Sequence, residues 1–240
     1  MNLIAPSAFP SLTQAECITL QKELALRIVQ QDILPPEELH TAAGVDLAYW
    51  TQGETERAVC CIVVIDIQTK AVIETQDAAG VITFPYLPGC LAFRELPLVL
   101  TAAARLKHKP DIFLFDGNGI LHPRGLGLAA HASFYLQTPT AGIAKTYYRV
   151  EGAAYSMPHP LAGSWSDIVK GGAVLGRAVR THQDVKPIFV SVGNWITLDT
   201  ATELALRLTG RESRIPIPTR YADLETHIKR DTLRIHPTEG

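Results

Sequence analysis

The chain predicts an α/β fold, a single domain built on a mixed β-sheet flanked by helices. Three observations predict it. Strand-like runs at 41–50, 57–66 and 71–78 follow one another closely, and the polar patch Asp66–Lys70 between the last two marks an antiparallel hairpin. Beyond residue 90, helical and strand patterns alternate, which favours a partly parallel sheet. With 240 residues, 47% hydrophobic and 19% charged, the chain can bury one sizeable core.

Each element has its own signal. Residues 11–31 read as an amphipathic helix starting near Leu12 or Thr13, with Leu20, Leu24 and Ile28 on one face; Pro35 and Pro36 break it. The segment Thr83 to Gly89, TFPYLPG, holds two prolines around a tyrosine and cannot be regular. A helix is expected over 95–107, with Glu95 in its first turn, Pro97 where proline is tolerated, and Leu96, Val99, Ala103 and Leu106 as its apolar stripe. DIFLF at 111–115 reads as a buried strand ending at Asp116-Gly117. A small-residue helix at about 125–136 and a strand at 140–145 continue the alternation. Residues 149–168 read as a long surface loop. Strands at 172–180 and 187–192 follow, then helices at about 198–209 and from about 220, with Thr197 and Thr219 as expected N-caps.

Composition excludes several classes. Lys and Arg total 22 against 24 for Asp and Glu, a net charge of −2, which is not the footprint of a tight non-specific nucleic-acid binder. Any nucleic-acid chemistry would need locally concentrated positive charge. No apolar run approaches the roughly 18 residues of a membrane span, and the N-terminal residues lack a signal-peptide pattern, so the expected compartment is the cytoplasm. Cys17, Cys60, Cys61 and Cys90 form no zinc or redox spacing and read as reduced packing residues. A monomer is the expected state.

Three acids carry the strongest chemical signal. Asp46 interrupts the first strand, Glu95 follows the proline-tyrosine segment, and Asp116 ends the DIFLF strand before a Gly-Asn-Gly loop. Each alone has an ordinary reading: an edge aspartate, a helix-start glutamate and a turn aspartate. Together, carboxylates in apolar strands are costly unless a cation meets them. Hard oxygen ligands of this kind suit Mg²⁺ and metal-assisted hydrolysis. His122, Arg124 and Lys145 add cations suited to phosphate contacts, while His131 reads as core. Tyr86, held between Pro85 and Pro88, suits insertion between bases or plain packing in a turn. The Gly117–Gly119 loop lacks the Lys and Ser/Thr of a phosphate-binding P-loop.

The stretches AGVDLAY, FPYLPGCLAFRE, PDIFLFDGNGILHPRGLGLAAH, GIAK, GAVLGRAVRT, KPIFVSVGN and PTRYAD, spanning about 41 to 223, together resemble the endonuclease V family. The resemblance implies a ribonuclease H-like fold over 41–230, with an N-terminal helical segment, 1–40, packed on it and a C-terminal tail, 231–240. It also implies Mg²⁺-dependent hydrolysis, with Mn²⁺ expected to substitute, of the second phosphodiester bond 3′ to inosine. By motif position Asp46, Glu95 and Asp116 would hold the metal and Lys145 would sit at the scissile phosphate. Tyr86 would be the wedge, in a nucleic-acid surface with Pro85, Leu87, Pro88, Gly89, Arg94, Gly117, His122 and Arg124. Gly89 and the Gly117 loop would line a pocket for the extruded base. The partner would be inosine-containing DNA, with inosine-containing RNA a competing substrate.

Two departures stand out. The family commonly carries histidine where this chain has Asn118 and Asn194, and Trp195 replaces a usual arginine. Asparagine offers only its amide to hydrogen bonds. An alternative follows: an inosine or branched nucleic-acid reader that cuts poorly. A third reading is a ribonuclease H-like nuclease acting on junctions or general single strands.

Overall fold

A computed structural model describes residues 3–235. Its centre is a nine-stranded mixed sheet of order β3-β2-β1-β4-β5-β9-β8-β7-β6. β1 (Thr41–Gln52), β2 (Thr55–Asp66) and β3 (Val72–Val81) form an antiparallel meander. β4 (Ile112–Phe115) pairs parallel to β1, and β5 (Thr140–Ala144) parallel to β4. β9 (Ile188–Asn194) returns antiparallel to β5, and β8 (Ala173–Val179), β7 (Trp165–Lys170) and β6 (Ala153–Ala154) extend that side. This is the ribonuclease H-like arrangement of a mixed sheet in a single α/β domain.

Alternation along the strands sends side chains to two cores. On one face α1 (Gln14–Ala25), α2 (Leu91–Ala103) and α3 (Leu128–Leu136) cover Ala43, Val45, Cys60 and Ile62. On the other, α4 (Leu198–Arg207) and α5 (Ile217–Ile235) cover Ala42, Val63, Ile112 and Leu114. Cys60 and Cys61 face opposite sides as neighbours in a strand must, and all four cysteines are free and buried. A third cluster around Ile168, Phe189, Tyr147 and Tyr155 holds the β6–β8 extension.

Several local expectations need correction. The first helix stops at Ala25, not 31, because the next residues bond elsewhere: the Val29 N–H donates to Asn194 Oδ1 (2.8 Å) and its carbonyl accepts from the Trp195 N–H (2.7 Å). α2 begins four residues before Glu95, which therefore lies past the first turn, and Pro97 is inside the helix. The expected loop over 149–168 contains β6 and the start of β7. Thr197 caps α4, accepting from the Thr200 N–H. Thr219 caps nothing: α5 starts at Ile217, and the Thr219 hydroxyl donates to the Pro216 carbonyl. α5 also runs past residue 230, where the tail is expected to begin. No helix among the described residues is long and apolar enough to cross a membrane.

Candidate active site

Asp46 lies mid-β1 on the face covered by α5. α5 comes unusually close there because residue 44 has no side chain. A Cβ on Gly44 would fall 2.0 Å from the Pro218 carbonyl carbon and 2.3 Å from the Thr219 nitrogen. Thr226, further along α5, donates to Asp46 Oδ2 (3.2 Å). Asp116 is the first residue after β4, and Lys145 the first after the parallel neighbour β5, so both sit at the same end of the sheet.

The result is a cluster of Asp46, Asp116 and Asp223 whose ligand oxygens lie within 4.8 Å of one another. Lys145 Nζ donates to Asp116 Oδ2 (2.6 Å) and Asp223 Oδ1 (2.8 Å). The electrostatics show one cation to be too few. Burial and then the Asp116 charge push the Asp46 carboxyl up to about 7, and burial also raises Asp116 despite its lysine. Burial acts against the Lys145 charge, but its bonds to Asp116 and Asp223 outweigh it and raise the group overall, so the lysine stays charged. An all-oxygen set with excess negative charge fits a hard divalent cation, so the cluster could hold one.

Asp223 is the residue that sequence reasoning misses. Its signal lies in the PTRYAD stretch, but an acid on a polar-faced helix reads as solvated. Glu95, expected in the metal set, stands outside the three-carboxylate cluster. It rises from α2 on the opposite face of the sheet and accepts from the Tyr49 hydroxyl (2.7 Å). Burial, with the charges of Asp46 and Asp116 added, pushes it up to about 8 against the opposing Tyr49 bond, so its carboxyl still senses the cluster.

Gly117, the residue after Asp116, helps line a cavity of about 290 Å³ between the Tyr86–Gly89 and Gly117–Asn118 segments; Leu126, Leu128 and Tyr148 give it apolar walls. Tyr86 is 72% exposed at its rim. Its loop is held at both ends by side chains expected to meet nucleic acid directly, with Gln21 beside them. The Gly89 carbonyl accepts from Gln21 Nε2 (2.8 Å), His122 Nε2 (3.0 Å) and Arg124 Nη2 (2.6 Å). Gly89 has φ +75°, and a Cβ there would meet Arg124 Nη2 at 2.5 Å, so glycine alone fits the clamp. Since His122 Nδ1 accepts from the Arg124 N–H (3.2 Å), its proton is on Nε2. Burial, with Arg124 beside it, lowers the ring to about 4 and keeps it neutral. Arg94 is buried, donating to the Phe84 carbonyl (2.8 Å) and pairing with Glu56 (2.7 Å), with its guanidinium against the Tyr49 and Tyr86 rings. Arg94 and Arg124, with neutral His122, thus turn donors onto the loop and brace it.

The two asparagines differ. Asn118 lines the cavity, and its Oδ1 is buried with no partner among the described residues. Asn194 is fully buried where β9 meets the start of β5, donating to Ser133 Oγ (3.1 Å) and accepting from Val29 and Trp195. It joins the N-terminal segment to α3 and touches none of the acids.

A ribonuclease H-like sheet carrying clustered carboxylates mid-β1, at the end of β4 and on α5 fits a phosphodiester hydrolase of the nuclease class. Comparison with known proteins narrows this. The Endonuclease V family model matches residues 22–224. Endonuclease V of Bacillus thuringiensis is 51% identical over 89% of this chain and 91% of its own. The crystal structure of Endonuclease V from Bacillus subtilis superposes with a TM-score of 0.92 at 46% identity, over 98% of this chain and 99% of that one. The chain belongs to the Endonuclease V family. A more distant member, from Ciona intestinalis, was solved in complex with a 24mer DNA containing an inosine followed by a ribo-adenosine. It has TM-score 0.78 and 28% identity, over 91% of this chain and 98% of that one.

Proposed function

We propose that this protein cuts nucleic acid at a deaminated adenine, hydrolysing the second phosphodiester bond 3′ to inosine and leaving 3′-hydroxyl and 5′-phosphate ends in DNA repair. The observation that carries this reading is a three-carboxylate cluster whose Asp116 is followed directly by Gly117 in the lining of an apolar-walled cavity with an exposed tyrosine at its rim. The inosine-containing DNA bound by the Ciona relative supports it.

Asp46, Asp116 and Asp223 would hold Mg²⁺, with Mn²⁺ able to replace it. Bound there, the ion would polarise a phosphoryl oxygen and lower the pKa of attacking water. Lys145 keeps Asp116 and Asp223 oriented through its two ion pairs and offers positive charge where negative charge develops on the phosphate. Glu95, its proton retained near neutral pH while the cluster is ion-free, is available as a further carboxylate from the other side of the sheet. No covalent nucleophile is needed. Tyr86, stiffened by Pro85 and Pro88, enters the stack as the base leaves, and Leu87, Gly89 and Gly117 line the space that receives it. A mispaired inosine costs less to extrude than a paired base, which favours the lesion.

The reading as a poorly cutting inosine or branched-DNA reader rests on Asn118 and Asn194. Asn194 makes no contact with the acids, and the carboxylates needed for cutting are all present, so the hydrolase reading is favoured. The test is a strand-labelled duplex with one deoxyinosine, and its RNA counterpart, incubated with Mg²⁺, Mn²⁺ or chelator. A metal-dependent cut one nucleotide beyond the lesion is expected. A cut without metal, or equal cutting of the adenosine control, would overturn the reading, and the DNA-to-RNA rate ratio ranks the substrates.

A further inference from the structure

Arg94 and Arg124, committed with neutral His122 to the Tyr86 loop, leave open which groups hold the strand itself. With a net charge of −2, general attraction to a polyanion is weak, so free positive charge near the acids is informative. It occurs in the segment joining α4 to α5. There a cavity of about 240 Å³ is lined by Arg211, Ser213, Arg220 and Tyr221, with Glu212 its one acid. The side chains of Arg211 and Arg220 make no hydrogen bond or ion pair among the described residues, and Arg211 and Tyr221 are exposed.

A helical spacing and a pair of hydrogen bonds tie this cavity to the reacting centre. Arg220 precedes Asp223 by three positions on α5, which puts both on one helix face about 4.5 Å apart along its axis. Arg214, in the same segment, turns inward and donates to the Lys145 carbonyl (2.9 Å) and the Pro187 carbonyl (2.7 Å), so the segment is fastened beside the lysine that holds Asp116 and Asp223. Arginine presents a planar fork of donors that matches phosphate oxygens, and an uncommitted one gives up no existing pair on binding them.

We propose that Arg211 and Arg220, with the Ser213 hydroxyl, form a phosphate-binding subsite for a neighbouring phosphate of the strand being cut, a role that rests on the nuclease reading above. Tyr221 gives the same cavity an aromatic face on which the adjoining sugar or base packs. The subsite contributes binding and register, without sequence preference.

The experiment measures kcat, KM and the salt dependence of KM on the deoxyinosine duplex for wild type, Arg211→Ala, Arg220→Ala, Arg220→Lys and Lys107→Ala, with thermal melting to check folding. Lys107 is an exposed lysine before the start of β4, at the opposite end of that strand from Asp116. Each arginine-to-alanine change is expected to raise KM by about tenfold with kcat within about twofold, and to reduce the slope of log KM against log salt by about 0.7–0.9. Arg220→Lys should restore most of the slope, and Lys107→Ala should match wild type. Active wild type with unchanged KM and slope in both alanine variants overturns the subsite alone, as does a loss confined to kcat. Wild type that leaves the inosine duplex uncut overturns the nuclease reading and the subsite with it.

Discussion

Replacing Gly44 with alanine tests how the site is assembled, because this residue sets the distance between α5 and the sheet. The new Cβ would lie 2.0, 2.1 and 2.3 Å from Pro218 C, Pro218 O and Thr219 N, all backbone atoms that cannot swing aside. Ordinary contact begins near 3.4 Å, so the two backbones must separate by 3.4 − 2.0 = 1.4 Å. Asp223 is carried on α5, whereas Asp46 and Asp116 are carried by the sheet, and the displacement therefore opens the carboxylate cluster. A misplacement of about 1 Å in a catalytic constellation costs on the order of 100-fold in rate, and overpacking of this kind about 1–3 kcal/mol in stability. The assay is single-turnover cleavage of the deoxyinosine duplex at a temperature where melting curves show both proteins folded. A rate about 100-fold below wild type is expected. A rate within about twofold would refute the dependence of the site on this close approach.

Two further perturbations probe the buried polar groups. Asn194→Ala strands the Val29 N–H and removes the bond that the Ser133 hydroxyl accepts, while that hydroxyl still donates to the Ala130 carbonyl, so urea unfolding should show a loss of about 1–3 kcal/mol with cleavage of the folded protein unchanged; a kcat loss at unaltered stability would contradict this placement. His131 is fully buried among Phe9, Phe93 and Tyr135 with neither ring nitrogen partnered among the described residues, and burial lowers it to about 3. The unfolded chain binds that proton near pH 6.5, so the native state loses stability as pH falls from 6.5 toward 3. His131→Leu should equal or exceed wild type at pH 7 and gain a widening Tm advantage below about pH 6.5. His122 leaves a residual acid dependence in the same direction, and an unchanged wild-type pH profile would exclude the His131 contribution.

Much of this architecture is legible in the sequence because local patterns and tertiary placement agree. The Asp66–Lys70 turn does join antiparallel strands, Asp46 is mid-strand, and Asp116 ends a buried strand before glycines. Where they disagree, long-range bonds decide. Leu26 to Ile28 continue a plausible helical stripe, yet the chain leaves the helix and ties Val29 to Asn194 and Trp195, 165 residues and more away. Pro97 suggests a helix start, but the helix begins at Leu91 and its apolar residues from Ala92 onward already pack on the core, so Glu95 moves into the second turn. Asp223 is invisible to local reasoning, because its importance comes from a glycine on a different element that lets α5 descend onto β1. Arg94, His122 and Arg124 read as free charge, although carbonyls from the proline-rich loop claim their donors.

The divalent-cation site proposed at Asp46, Asp116 and Asp223 underlies the hydrolysis. Its most direct test is calorimetric titration of metal-free protein with Mn²⁺, comparing wild type with Asp223→Ala in the absence of nucleic acid. Binding by wild type, weakened about tenfold or more in the variant, is the predicted result. Equal affinity in the two proteins, or no binding by wild type, would contradict it.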